Sequence, residues 1–297
     1  MGTSEIYNRS RSAFWLRVNE NDNGSYNFFV SEKLKEIFRY HFPLIDMNAP
    51  KGWEPSRGNT FNVWIPPDNA QGINIDEIKE WAAYAGTQCV WLNTEHPLEY
   101  CVAADFNFNV EDGKITERTP LGYAEYWLKY KRENLKKEDQ KIHVRNVCDG
   151  IRGVFELLPF AYKSRSISVK LRRDKPIPPL VSAIPANKGK GKLSWALTKY
   201  VANHYELEFV LPILRPIKPE MKNLSLTQKI KIWEDIYNTE DAIEADLNVG
   251  DREVLIVDDL YQSGATMQAY ARHLNSLGAK RIFGIVCVKS MRDSDNK

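Results

Sequence analysis

No run of about 18 apolar residues occurs in this sequence, so a membrane-spanning helix is not expected. The four cysteines, Cys89, Cys101, Cys148 and Cys287, are scattered. None forms a C-x-x-C pair, so neither a zinc site nor a disulfide framework is implied. Four reduced thiols in a cytoplasmic protein are expected. Neither sign of charge dominates: 41 Lys and Arg face 39 Asp and Glu, a net charge of +2. That balance argues against a histone-like partner and against an acidic tail. The opening residues, Met1-Gly-Thr-Ser-Glu5, lack the basic and apolar parts of a secretory signal. Without Ser or Thr at position 6 they also match a myristoylation signal poorly. No internal repeat is visible, and His41 and His96 are isolated.

What is present begins with 8 Trp, 14 Tyr and 12 Phe in 297 residues. A chain of this length and composition can bury one large core or two smaller ones. Residues 1–115 read as an aromatic-rich α+β region. Phe14–Val18 and Tyr26–Val30 flank a turn-forming Glu20–Gly24, the pattern of a hairpin. Ser31 precedes a helix over Glu32–Tyr40 with Leu34, Ile37 and Phe38 on one face. Phe61–Ile65 reads as a strand, a helix runs from about Ile75 to Gly86, and Cys89–Leu92 and Tyr100–Ala104 read as two further strands. The region is either a Trp- and Tyr-rich core or a surface for a flat base or a protein partner, a hood over the rest.

From about residue 116 the order changes to alternating helices and strands. Leu121–Tyr130 is helical, Lys129–Lys141 is a charged stretch read as a solvated helix end or loop, and Ile142–Leu158 is a second helix ended by Pro159. A basic segment follows, with Lys163, Arg165, Lys170, Arg172, Arg173 and Lys175; it suits a phosphate lip, a nucleic-acid patch or a solvated face. Pro179–Ile184 is a buried strand, followed by Pro185-Ala-Asn-Lys-Gly-Lys-Gly-Lys192. Glycines and lysines after a strand can cradle phosphate. The run is no P-loop, because Gly191-Lys192 is followed by Leu193. Leu193–Tyr205 is helical, Leu207–Ile213 a strand, and Ser225–Asn238 a helix. Arg281–Val288 is the last strand. This alternation predicts a mostly parallel sheet with right-handed crossovers.

The stretch that carries chemistry is Val254-Leu-Ile-Val-Asp-Asp-Leu-Tyr-Gln-Ser-Gly-Ala-Thr-Met267. Val254–Val257 reads as a strand buried on both faces. Asp258 and Asp259 stand at its carboxyl end, where ligands of open α/β sheets bind. Gly264 allows a tight turn that brings amides close to an anion, and a helix starting near Thr266 adds its free N–H groups. Carboxylates for ribose hydroxyls and amides for a 5′-phosphate suit a sugar phosphate. The bland alternative is an ordinary strand, turn and helix with solvated acids.

This stretch resembles the 5-phosphoribosyl 1-diphosphate (PRPP) motif of the type I phosphoribosyltransferases. From about Thr119 to Val288 the chain is similar to their ComF-like branch, through Ile184-Pro185 with its loop, Ser225-Leu-Thr-Gln228, Asp258-Asp-Leu-Tyr261 and Leu277–Ile282. The resemblance implies a type I phosphoribosyltransferase-like α/β fold over 116–297, with the α+β region in front of it. It implies that Asp258 and Asp259 are catalytic, binding the ribose and Mg²⁺ through water. Tyr261, Gln262, Ser263, Gly264, Ala265 and Thr266 would complete the PRPP site, and Asn187, Lys188, Gly189 and Lys190 would meet the pyrophosphate. The implied partners are PRPP or another sugar phosphate and a nucleobase or similar acceptor, with Mg²⁺ as cofactor. Single-stranded DNA, a protein partner and a homo-oligomer stay open, and no membrane partner is implied. Three features depart from the family. The cysteine-rich zinc ribbon is missing, no arginine lies between Gln228 and Asn238, and Gln262 stands where purine-salvage relatives carry an acid. Glutamine is no general base near neutral pH. A PRPP or nucleotide sensor without transfer, and an accessory DNA-processing factor, are therefore the rival readings.

Overall fold

The computed structural model describes residues 3–7, 15–111, 114–159, 178–217, 219, 221 and 224–291. The basic segment at 163–175 lies outside them. The described residues fall into two compact units, one within 3–91 with 157–159, the other within 92–156 with 178–291. Among the described residues no helix is long and apolar enough to cross a membrane.

The first unit is built on an antiparallel sheet in the order Thr3–Tyr7, Trp15–Glu20, Tyr26–Ser31, Thr60–Ile65, Trp53–Ser56. The hairpin expected around Gly24 is present, with Leu16 opposite Val30 and Gly24 at a φ of 77°. Alternation along its strands sends Phe28, Val30, Val63 and Ile65 into the core. The Glu32–His41 and Ile75–Ala83 helices bring Ile37, Phe38 and Ile78 to the same core. The many aromatics of this region are largely packing: Phe38 lies 5.9 Å from Phe28, 5.9 Å from Trp53 and 6.2 Å from Trp81, centroid to centroid.

The second unit has a parallel sheet in the order Phe209–Val210, Leu180–Ala183, Glu253–Tyr261, Arg281–Lys289, Leu98–Phe106. Leu98–Phe106 pairs with Arg281–Lys289, and the compact unit that holds this sheet begins at residue 92. Leu180, Val181 and Val254–Val257 are buried, as strands covered on both faces must be. At the amino ends Arg281 ties three strands together, through Glu99 at 2.7 Å and Glu253 at 3.4 Å. The carboxyl ends open into a cleft.

Three local expectations change. The strand expected over Leu207–Ile213 is broken. Only Phe209–Val210 joins the sheet, while Ile213–Leu214 pairs antiparallel with Ile243–Glu244. Pro212, lacking an N–H to donate to the ladder, stands between the two. The helix expected from Ile142 starts at Lys137, its first turn being polar and solvated. The charged stretch from Lys129 is not uniformly solvated either, because Lys129 lies in the last turn of the Pro120–Tyr130 helix and points at an acid.

That helix is pinned at its start. The Thr119 hydroxyl donates to Phe106 O at 2.6 Å and accepts from Gly122 N at 2.9 Å. Gly122 lets the helix lie directly on the end of the Leu98–Phe106 strand, since a Cβ there would collide with the Asn107 carbonyl. Helix propensity alone would favour alanine at this position by about 0.8–1 kcal/mol. The collision is with backbone, which cannot rotate away, so overpacking decides the sign. Gly122→Ala is expected to lose about 1–3 kcal/mol of stability, read as a lower midpoint in urea; a stabilised variant would disprove the close approach.

Candidate functional site

The cleft lies where the sheet changes its direction of growth. After Leu180–Ala183 the chain adds Phe209–Val210 on one side, and after Glu253–Tyr261 it adds Arg281–Lys289 on the other. Both crossovers leave from neighbouring strands in opposite directions, so a crevice opens between their carboxyl ends. It encloses about 500 Å³ and is lined by Lys129, Asn187, Lys190, Gly191, Ser194, Trp233 and the whole run from Asp258 to Met267.

The helices that follow these two strands both begin at this cleft. The Lys192–Tyr205 helix starts after Gly191, at a φ of 67°, and the Ala265–Ser276 helix after Gly264, at a φ of 83°. Two sets of free N–H groups and two positive dipole ends therefore border one space. In the first loop, Gly191 is required by close approach, because a Cβ would sit 2.6 Å from that of Ala186. Asn187 donates its amide to Leu214 O at 2.8 Å and Pro216 O at 2.7 Å, which ties the loop to the following strand. Of the four loop residues expected to meet pyrophosphate, Asn187 and Lys190 line the cleft; Lys188 and Gly189 form the exposed tip.

In the second loop Gln262 is exposed, Ser263, Gly264 and Thr266 are half-buried, and Tyr261 and Ala265 are buried. Lys289, itself buried, donates to Gln262 O at 2.9 Å and so holds the loop's backbone from below. Tyr261 forms the floor: a Cβ on Gly264 would collide with its hydroxyl. A ligand's anion can thus approach the backbone at Gly264 while the side chains beneath stay packed.

The acid pair is asymmetric. The central strand stays paired with Leu180–Ala183 only to Val257, but with Arg281–Lys289 to Tyr261. Asp258 and Asp259 therefore extend beyond one neighbour while the other still holds their backbone. Successive residues of a strand point to opposite faces, and the two carboxylates have different surroundings. Asp258 is half-buried and opens to the cleft, accepting Asp259 N at 2.8 Å. Asp259 is only 6% exposed, and its Oδ1 lies 2.8 Å from Lys129 Nζ. Asp259 is thus not a solvated acid at the strand end. A buried carboxylate needs a cation, and the Pro120–Tyr130 helix supplies one. Burial, and after it the Asp259 charge, pushes the Asp258 carboxyl well above the usual carboxylate range. Burial alone would lower Lys129, but Asp259 and Asp258 outweigh it and hold the ammonium above its ordinary value.

Glu125 completes the group, one helical turn before Lys129 and 3.6 Å from it. It is 2% exposed, and burial pushes its carboxyl up to about 7 although Lys129 opposes the shift. Lys129, Glu125 and Trp233 were missed in the sequence. The signal was there for Glu125, which falls between Ala124 and Leu128 on the apolar stripe with Lys129 at i+4. Ser225 and Gln228 have a local explanation: they form a reciprocal capping box on the Leu226–Tyr237 helix.

The donor set suits Mg²⁺ in its usual manner of binding. Hard carboxylate oxygen is available at Asp258, and Mg²⁺ keeps waters while sharing one or two carboxylates with substrate phosphates. Among the described residues no group of three or more His, Cys, Asp or Glu side chains could hold a metal by itself.

A parallel α/β unit with a phosphate-suited cleft at its switch point is the class that fold and site define. Within that class, residues 217–296 match the family model described as the phosphoribosyl transferase domain. No curated protein matches the chain. Two solved structures are similar in part. A purine phosphoribosyltransferase from Pyrococcus horikoshii Ot3 is 14% identical, over 38% of this chain and 72% of its own, with a TM-score of 0.24. An adenine phosphoribosyltransferase from Thermoanaerobacter pseudethanolicus ATCC 33223 is 16% identical, over 73% of this chain and 100% of its own, with a TM-score of 0.30.

Two outcomes are expected from this geometry. Glu125 has its folded pKa above the unfolded value of about 4.3, so folding is favoured below that value and loses this contribution as pH rises through about 7. Glu125→Gln should therefore raise the melting temperature more at pH 8 than at pH 5; an equal effect at both would show that Glu125 titrates normally. Gly264→Val places a branched side chain at positive φ against Tyr261, and should weaken ribose 5-phosphate binding by about tenfold or more. Equal affinity by calorimetry would put the phosphate elsewhere.

Proposed function

We propose that the protein binds PRPP with Mg²⁺ in this cleft and transfers the phosphoribosyl group to a nucleobase-type acceptor, releasing pyrophosphate. The observation that carries the reading is the convergence of two helix N-termini and an acid pair on one switch-point cleft. One helix start suits the 5′-phosphate, through the amides of Ser263–Thr266 and the hydroxyls of Ser263 and Thr266. The other, with Lys190, suits the pyrophosphate. Asp258 receives the ribose hydroxyls and, through water, the metal. Bound Mg²⁺ would supply charge neutralisation for the departing pyrophosphate.

In the transfer, the bond from C1 to the pyrophosphate oxygen breaks and a bond from C1 to the acceptor nitrogen forms. Positive charge grows on the ribose ring during the exchange. Asp258, close to the hydroxyls, favours that charge; Asp259, neutralised by Lys129, contributes much less. The acceptor's proton leaves to solvent, because Gln262 can orient a group by hydrogen bonds but cannot take a proton. Fixed donors contribute a few kcal/mol per group, whereas a general base adds roughly 10²–10⁴-fold. A site with the first and without the second turns over slowly. Gln262 also supports a second reading, a PRPP or nucleotide sensor that performs no transfer.

Calorimetry with PRPP, with and without Mg²⁺, tests the binding, and pyrophosphate release across a nucleobase panel tests the transfer. Asp258→Asn should abolish Mg²⁺-dependent PRPP binding without lowering the melting temperature, since it neutralises a carboxyl whose charged form burial disfavours. Undiminished affinity in that variant would rule out the assignment. Tight PRPP binding without release above the Asp258→Asn blank, for every base, would establish the sensor reading.

A further inference from the structure

Asp259 is close to the cleft yet turned away from use by its own ion pair. Its side chain is 8% exposed and that of Lys129 28%, with 2.8 Å between the charged atoms. A pair this enclosed is not the screened, mobile surface kind. Lys129 is also fixed from behind. Its helix is anchored at Thr119 to Phe106 and lies on the sheet end through Gly122, which fixes the backbone from which the side chain reaches Asp259. Lys129 is nonetheless among the residues lining the cleft. Its charge is thus part of the electrostatic setting of the cleft.

The consequence is a matter of charge. Without Lys129 the Asp259 carboxylate would add an uncompensated negative charge beside Asp258 at the end of the strand. With it, the ammonium offsets the charge of Asp259, and the group that opens to the cleft is the Asp258 carboxyl. Mg²⁺ dehydrates reluctantly and gains little from a single carboxylate; substrate phosphates must supply the rest.

We propose that Lys129 is an internal counter-ion that prevents the acid pair from taking a divalent cation alone, making cation binding conditional on a phosphorylated ligand. Lys129 is thereby a positioning residue, acting through Asp259. The inference rests on the cleft being the sugar-phosphate and cation site. Its chemical sense is that an unliganded site free of cation stays open to the ligand with its own Mg²⁺ attached. A purely structural role would tie helix to sheet and leave cation affinity unchanged, so cation affinity is the quantity to measure.

The experiment titrates Mn²⁺ into the full chain, followed by electron paramagnetic resonance, without any phosphorylated ligand. Lys129→Met removes the charge and keeps the length of the side chain; Lys129→Gln is the second variant, for use if the first fails to fold. Either is expected to bind Mn²⁺ alone about tenfold or more tightly than the parent, and the gain should vanish when Asp258→Asn is added. Lys129→Arg should behave as the parent. Unchanged Mn²⁺ affinity in both charge-removing variants would overturn the inference. So would a parent protein that binds Mn²⁺ as tightly without PRPP as with it, whatever the variants do. Failure of the parent to bind PRPP is read from a separate titration, and would overturn the proposed function while leaving the gain of Mn²⁺ binding to be judged by itself.

Discussion

A carboxylate buried at the end of a parallel sheet persists as an ion only with a cation against it. In this protein that cation is Lys129, and the site depends on the pairing with Asp259. The dependence runs back through the fold. Lys129 reaches Asp259 because its helix lies on the end of the Leu98–Phe106 strand, and the helix can lie there because Gly122 has no side chain. That strand is in the sheet because it pairs with Arg281–Lys289, the strand that carries the backbone of the acids on its other edge. A glycine, a parallel ladder and a helix cap together place one ammonium.

The same ladder explains why two neighbouring aspartates differ. The central strand outlasts Leu180–Ala183 but not Arg281–Lys289, so its last residues are held on one edge and free on the other. Alternation then turns the two side chains to opposite faces. Asp258 opens to the cleft; Asp259 turns to Lys129, with Glu125 beyond. An acid pair that looks uniform as a dipeptide becomes one carboxylate open to the cleft and one paired within the protein.

The glycine loop after the acids follows another rule, a left-handed backbone turn over a rigid floor. Gly264 supplies the left-handed turn, and Tyr261 fills the space beneath it. Lys289 fixes the loop carbonyl at Gln262. Because the floor is made of packed and hydrogen-bonded side chains, the amides are oriented before any anion arrives. That pre-organisation is the part of anion binding that costs nothing at the moment of contact.

The sequence by itself determined the alternation of helices and strands in the second unit, the buried strand at Val254–Val257, the acids at its end and the glycine loop beyond them. These are local matters: apolar runs, turn residues and helix starts are written within about a dozen neighbouring positions. The hairpin around Gly24 and the helix with Ile37 and Phe38 were legible for the same reason. Only the tertiary structure decided that Leu98–Phe106 belongs to the parallel sheet, that Pro212 divides a strand between two sheets, and that Asp259 is already paired. Lys129 and Asp259 are 130 residues apart. Nothing in a run of Lys and Glu tells which one will face inward, because that is set by where a helix lands on a sheet. The pairing of distant charges is a property of packing, and packing is decided between elements rather than within them.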